Sequence, residues 1–175
     1  MKKILLTLAA SATVFSAFAT DGTFSASNVI NSVRQYIFNP DGTTKLAKAN
    51  GAVEFLYNGA VVGTGTYGFL ADGLFSAGTV SIPNQAGNAV AITIEVWDKS
   101  TQATYDLAST VAGGTYLPAQ TVTITLGGGG SPAATPAPLT GFTGGTLKVV
   151  PTPEPSTVAL AALGLGGLLF ISRRK

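Results

Sequence analysis

The stretch VEFLYNGAVV, from Val53 to Val62, decides the fold class of this chain. Asn58 and Gly59 stand between two runs that are rich in apolar residues. An Asn-Gly pair in this position is the strongest short-range signal for a β-hairpin, because both of its residues accept a positive φ. The sequence therefore predicts two antiparallel strands that are joined by a tight turn at residues 58 and 59.

Two further segments alternate between apolar and polar residues in the manner of half-buried strands. They are VAITIEVW at residues 90–97 and TVTITL at residues 121–126. Shorter strands are predicted over residues 33–38, 79–82, 104–107 and 146–150. No segment has a sustained helical period, so crossover helices for a parallel sheet are missing. Seven or eight short strands separated by Gly, Asn and Asp turns predict an all-β fold, an antiparallel β-sandwich.

The N-terminal residues 1–19 have the pattern of a secretory signal peptide. Two lysines, Lys2 and Lys3, precede an apolar stretch over residues 4–18, and a small-residue A-x-A site follows. A permanent signal anchor is the alternative, which the short apolar stretch and the well-placed cleavage site disfavour. We therefore predict export and cleavage by signal peptidase at a site formed by Ala17, Ala19 and Thr20.

The C-terminal residues 151–175 combine a proline-rich segment, an apolar segment and a basic end. Prolines at alternate positions keep residues 152–156 extended and accessible. A transmembrane helix is predicted over residues 157–172, but its fourteen-residue apolar part spans only about 21 Å of a ~30 Å hydrocarbon core. The basic residues that follow place the C-terminus in the cytoplasm and the upstream domain outside. An ordinary membrane anchor with a proline-rich stalk is the alternative.

These three features together resemble the bacterial PEP-CTERM sorting signal. The residues that carry the resemblance are Pro153, Glu154 and Pro155 of the triplet and Arg173, Arg174 and Lys175 of the basic end. The resemblance implies that an exosortase, a membrane cysteine transpeptidase, recognises the triplet and removes the helix. It also implies a transient stay in the inner membrane of a Gram-negative bacterium, followed by delivery to the cell surface or extracellular matrix, often alongside exopolysaccharide.

A second resemblance concerns residues 50–150. The segments DGLF at residues 72–75, EVWD at residues 95–98 and TVT at residues 121–123 are similar to an ectodomain of Verrucomicrobia-type PEP-CTERM proteins. This resemblance implies an architecture and assigns no role to any residue.

The sequence between the two ends predicts one β-domain over residues 20–126 and a Gly/Pro-rich linker over residues 127–150. Four consecutive glycines and the proline-rich run SPAATPAP open this linker. Its last part is either a stalk or an edge strand that returns to the sandwich. The edge strand is favoured, with Phe142, Leu147 and Val149 as the returning residues.

The formal net charge of +2 comes from the two ends of the chain. Residues 20–150 hold five cations and seven anions, which leaves this part at −2. The domain is therefore mildly acidic and lacks a basic patch, which excludes nucleic-acid binding as its function.

Catalytic chemistry is limited because the chain has no histidine and no cysteine. The commonest general base, the thiol nucleophile and most transition-metal ligands are thus missing. We expect no enzymatic activity, no cofactor and no bound metal. Glu54 and Glu95 are the candidates for a glycosidase pair, but both lie at the polar phase of alternating strands, which favours solvent exposure. Asp21, Asp41 and Asp72 each precede a glycine, which favours turns over calcium sites.

Trp97, the single tryptophan, is the candidate for glycan contact. It shares strand phase with Glu95 rather than with Val96, so strict alternation places its indole on the polar face, where it would stack on a sugar. A bend at the strand end would instead pack it in the interior, which is commoner for a lone tryptophan.

The sequence therefore predicts a non-catalytic exported protein of the cell surface or extracellular matrix. The alternative is a carbohydrate-binding module for self-produced exopolysaccharide, with Trp97, Tyr67 or Tyr116 as contact residues. A small hydrolase is a third possibility, which the missing catalytic residues disfavour.

Overall fold

The structure, a computed structural model, describes residues 20–129 and 132–152. Thirteen strands and one short helix lie within these residues. In chain order they are β1 (Gly22–Ser27), β2 (Val29–Ile30), β3 (Val33–Arg34), β4 (Ile37–Phe38), β5 (Gly51–Tyr57), β6 (Ala60–Val61), β7 (Tyr67–Ala71), β8 (Leu74–Ile82), β9 (Ala89–Asp98), α1 (Tyr105–Thr110), β10 (Thr115–Thr125), β11 (Ala137–Pro138), β12 (Gly145–Thr146) and β13 (Lys148–Val149).

Nine of the strands form one sheet in the order β11-β1-β8-β7-β5-β9-β10-β13, with β6 paired to β5. The sheet is mixed, because β11 runs parallel to β1 while the other neighbours are antiparallel. Two small sheets, β4 with β12 and β2 with β3, accompany it. The prediction of a mostly β protein is confirmed, and so is the hairpin: β5 pairs with β6 around Asn58 (φ 51°) and Gly59 (φ 76°).

The predicted antiparallel sandwich is replaced by a single curled sheet that forms a half-barrel. A sandwich needs two separate sheets with facing inner surfaces, whereas here β7 and β8 continue the same hydrogen-bonded sheet from β5 to β1. Register shifts within the β7–β8 and β1–β8 pairs mark irregularities of the kind that bend strands and increase their twist. The inner face of one curled sheet therefore forms most of the core wall, and segments outside the sheet complete it.

Aromatic side chains connect the core across this curved inner face. The Phe55 ring lies edge-on to the rings of Phe24 and Phe75, at centroid distances of 5.6 Å and 5.9 Å. Phe142 packs in the same way on Phe75, at 5.6 Å. Since Phe142 belongs to the predicted linker, the C-terminal segment contributes directly to the core.

The described residues 132–150 of that segment pack on the sheet rather than forming a stalk. Leu139, Phe142 and Leu147 are almost completely buried, whereas Val149 is half exposed. The segment runs from one edge of the sheet to the other, because its strands β11 and β13 are the two outermost strands. Both edges of the half-barrel are thus covered by short strands, a common protection of edges against association.

The predicted strand at residues 104–107 is wrong, because this segment begins helix α1. Thr104 is the N-cap, and its hydroxyl accepts a hydrogen bond from the amide of Leu107 at 3.4 Å. Tyr105 and Ala108, three residues apart, turn toward the sheet and are buried there. Capping and burial at helical spacing therefore outweigh the short β-like alternation of these four residues.

The predicted signal peptide at residues 1–19 and the predicted helix at residues 157–172 lie outside the described residues. In the part of the chain that the structure describes, no helix has the length and apolarity needed to cross a membrane.

Candidate functional site

Trp97 is completely buried, as the interior-packing alternative expected, and its indole is not accessible for stacking on a sugar in this structure. Helix α1 covers it on the outer face of the sheet, where Tyr105 lies edge-on to the indole at 6.3 Å. Ala52, Ala108 and the half-buried Tyr116 complete this second cluster. The indole Nε1 has no hydrogen-bond partner among the described residues. Trp97 therefore follows strict strand alternation, as the sugar-binding interpretation assumed, but the helix occupies the space that a sugar would need.

The two tyrosines named with Trp97 are engaged in packing as well. Tyr67 lies against Phe55 at a centroid distance of 5.9 Å, and its hydroxyl accepts a hydrogen bond from the amide of Thr64 at 2.9 Å. Tyr116 lies edge-on to Tyr105 at 6.0 Å. Burial, followed by the charge of Glu95, raises the pKa of Tyr105 to about 12. None of these rings forms a free platform.

Glu54 and Glu95 lie directly opposite each other in the pairing of β5 with β9. The Thr66 hydroxyl donates a hydrogen bond to the Glu54 carboxylate. Partial burial raises the pKa of Glu95, and the nearby negative charges of Asp106 and Glu54 raise it further. Two like charges at one register are unfavourable for the sheet, so this pair is an electrostatic weak point. Within residues 20–129 and 132–152, no three His, Cys, Asp or Glu side chains are arranged to hold a metal ion.

The aspartates named as turn or calcium candidates accept hydrogen bonds from backbone amides. The Asp41 carboxylate accepts from the amides of Thr43 and Thr44 at 2.9 Å and 2.8 Å. Hydrogen bonds from Thr44 and Thr43 lower the pKa of Asp41 to about 2. Asp72 accepts from the amide of Lys48 at 2.8 Å, and Asp21 from that of Asn84 at 3.3 Å. Asp41 thus closes its own turn, whereas the other two join segments that are distant in sequence.

An aromatic and basic cluster on the surface was missed by the sequence analysis. The Lys45 ammonium lies over the Tyr36 ring, 3.7 Å from its centroid. Partial burial acts to raise the pKa of Tyr36, but hydrogen bonding and charge from Arg34 and Lys45 lower it overall. The cation–π contact forms because a turn brings Phe38 and Lys45 into antiparallel pairing. The sequence predicts that turn from Pro-Asp-Gly at residues 40–42, but it does not predict the contact between the side chains.

The last strand, β13, brings the fold close to the predicted sorting motif. Lys148 pairs with Tyr116 and Val149 with Thr115 on the outer edge of β10. The Val150 carbonyl accepts a hydrogen bond from the Gly113 amide at 2.9 Å, and the Val150 amide donates to the Gly114 carbonyl at 2.9 Å. Pro151 and Thr152 follow and are exposed. The packed domain therefore ends directly before the Pro-Glu-Pro triplet.

A β-domain that continues directly into a proline-rich, apolar and basic tail has the organisation of an exported protein with a C-terminal sorting signal. The comparison with protein families identifies that signal: residues 151–175 match the PEP-CTERM protein-sorting motif. The motif implies an exported protein that an exosortase processes and sorts to the cell surface. The resemblance drawn from the triplet and the basic end is confirmed.

No curated protein and no solved structure matches the chain. The resemblance of residues 50–150 to Verrucomicrobia-type ectodomains stays a prediction.

Proposed function

We propose that the protein is a non-catalytic component of the cell surface or extracellular matrix, delivered there by an exosortase. The observation that carries this proposal is that polar side chains of the domain form hydrogen bonds to its own backbone. The carboxylates of Asp21, Asp41 and Asp72 accept backbone hydrogen bonds at turns and between segments. Carboxylates that accept hydrogen bonds from the backbone stabilise the fold, which is the role we expect for them in a structural protein.

A buried asparagine and a pair of surface threonines support the same proposal. The Asn28 side chain donates to the carbonyls of Gln35 and Gly73 and accepts from the amide of Phe75. On the outer face, the hydroxyls of Thr93 and Thr121 lie 3.0 Å apart across β9 and β10. These contacts stabilise the sheet and its connections, which is the role expected of a durable surface domain.

The proposed maturation has two steps. Signal peptidase cleaves after Ala19, so that the mature chain begins at Thr20. The exosortase then acts at the triplet 153–155 and removes the predicted helix at 157–172 with the basic residues 173–175. The protein stays in the inner membrane only until this second step.

A second candidate function is binding of an acidic exopolysaccharide. Three residues favour it: the half-buried ring of Tyr36 and the exposed cations Arg34 and Lys45 beside it. An aromatic ring with adjacent cations suits a sugar that carries a carboxylate or sulfate group. This cluster replaces Trp97 as the place where a glycan would bind.

Mass spectrometry of the protein purified from its native host tests the first proposal. We expect an N-terminus at Thr20 and a C-terminus within the proline-rich segment, and we expect the C-terminal residues to be retained in a host that lacks exosortase. An intact C-terminus in the normal host would contradict exosortase processing. A glycan array then separates the two functions: binding that is lost in the variant Tyr36→Ala would favour the polysaccharide module.

A further inference from the structure

We propose that β13 is a releasable strand, which detaches from β10 to present the sorting motif to the exosortase. Detachment stops at Leu147, whose buried side chain keeps the rest of the domain closed. This inference rests on the proposed function, because it assumes that the exosortase acts on residues 153–155. It adds a conformational step that the motif alone does not imply.

The first argument is the short distance between the fold and the motif. Val150 is held by two hydrogen bonds to the Gly113–Gly114 turn, and Pro153 follows three residues later. Three residues span at most about 11 Å when fully extended. The apolar segment begins at Val158, three residues after Pro155, so the same limit applies on the membrane side.

This distance leaves little room for an enzyme. Packed layers of polypeptide lie about 10 Å apart, so one layer of cleft wall fills the space between the domain and the triplet. A transpeptidase that encloses an extended substrate needs walls on both sides of the backbone. With β13 in place, any cleft wall thicker than one such layer would collide with the folded domain.

The second argument is that β13 is weakly attached. Both of its residues are exposed, and it pairs with β10 at only two positions. Opening the segment 148–150 breaks edge hydrogen bonds, which water replaces, and exposes little apolar surface of β13 itself. It adds three residues to the free chain, so that the six residues from Leu147 to Pro153 span at most about 22 Å.

The third argument is the contrast at Leu147. Its side chain is only 2% exposed, and its amide donates to the Phe38 carbonyl at 2.9 Å. Strand β12, directly before it, pairs with β4. Opening beyond Leu147 would remove a side chain from the core, so the release has a defined limit.

A reversible lock tests this inference. The chain has no cysteine, so the double variant Thr115→Cys/Val149→Cys introduces the sole possible disulfide, between paired residues of β10 and β13. Paired residues of antiparallel strands lie at Cα distances that a disulfide accepts, and exported proteins meet oxidising conditions. The full-length protein is followed in its native host by the ratio of precursor to processed form, and intact mass verifies the disulfide.

We expect the locked variant to be processed at least about tenfold more slowly than the wild type, because opening is then blocked. Each single-cysteine variant should be processed at the wild-type rate. Inserting about eight Gly/Ser residues between Val150 and Pro151 should restore processing of the locked variant, since a flexible linker supplies the missing reach. This rescue also shows that the lock has not misfolded the domain.

The outcomes separate this inference from the proposed function. Wild-type processing of the locked variant would overturn the releasable strand and leave exosortase sorting intact. Slower processing after insertion of the linker into the unlocked protein would also overturn it, because the enzyme would then use the folded end as a docking surface. A wild-type protein that retains its C-terminus in the normal host would instead contradict the proposed function.

Discussion

Replacing Phe142 by alanine tests whether the C-terminal segment is part of the folding unit. The Phe142 side chain is 2% exposed and packs edge-on against Phe75 at 5.6 Å. Removing a buried phenylalanine loses its transfer free energy and leaves a cavity, which together cost about 3–5 kcal/mol. The aromatic pair contributes roughly 1 kcal/mol of that loss. For a domain of this size, we expect the melting temperature to fall by roughly 11–18 °C.

Urea unfolding of the mature protein measures this loss, with Trp97 fluorescence as the signal. Trp97 suits the assay because it is the single tryptophan and is buried in the folded state. The matched control is Val149→Ala, in the same segment but 50% exposed, which should change the free energy of unfolding by no more than about 0.5 kcal/mol. A loss at Phe142 below about 1 kcal/mol would refute the conclusion that residues 132–150 help to form the core.

Three further predictions follow from the outer face and its helix. Glu95→Gln should raise the free energy of unfolding at pH 7 by about 0.5 kcal/mol. The pKa of Glu95 is raised in the folded state, so the wild-type protein loses stability as the pH rises through that pKa, and the neutral glutamine avoids this loss. Urea midpoints should therefore show the gain at pH 7 and its disappearance at pH 4. Gly114→Ala should cost roughly 1–3 kcal/mol, since a Cβ would lie 2.4 Å from the Ala108 carbonyl oxygen, whereas Gly68→Ala meets open space; equal melting temperatures of the two variants would contradict this. The fluorescence of Trp97 should be blue-shifted and resistant to an aqueous quencher, and a red-shifted, readily quenched spectrum would show that α1 does not cover it.

Local signals in the sequence predicted the elements that depend on neighbouring residues. The hairpin at Asn58-Gly59 formed because the two turn residues alone favour its backbone geometry. The alternation at residues 90–97 predicted most of β9 for a similar reason. Helix α1 was missed because the segment is short, and its burial depends on Trp97, which lies on another element.

The candidate sites depended more strongly on pairing between distant segments. Glu54 and Glu95 stand side by side because β5 pairs with β9 in one particular register, which neither strand specifies alone. The contact of Lys45 with Tyr36 likewise needs the turn between β4 and the following segment to close. Trp97 was placed on the correct face by alternation, but its environment was decided by the helix that packs over it.

The sequence by itself determined the β-rich character of the domain and its sorting address. Both are encoded locally, the first in alternation and turn residues and the second in a linear motif at residues 151–175. Tertiary structure alone decided that one sheet curls into a half-barrel and that residues 132–150 run across it from edge to edge. These features depend on free energy summed over residues far apart in the chain, such as Phe75 and Phe142. Because that packing extends to Val150, the folded domain ends directly before the sorting motif at residues 151–175.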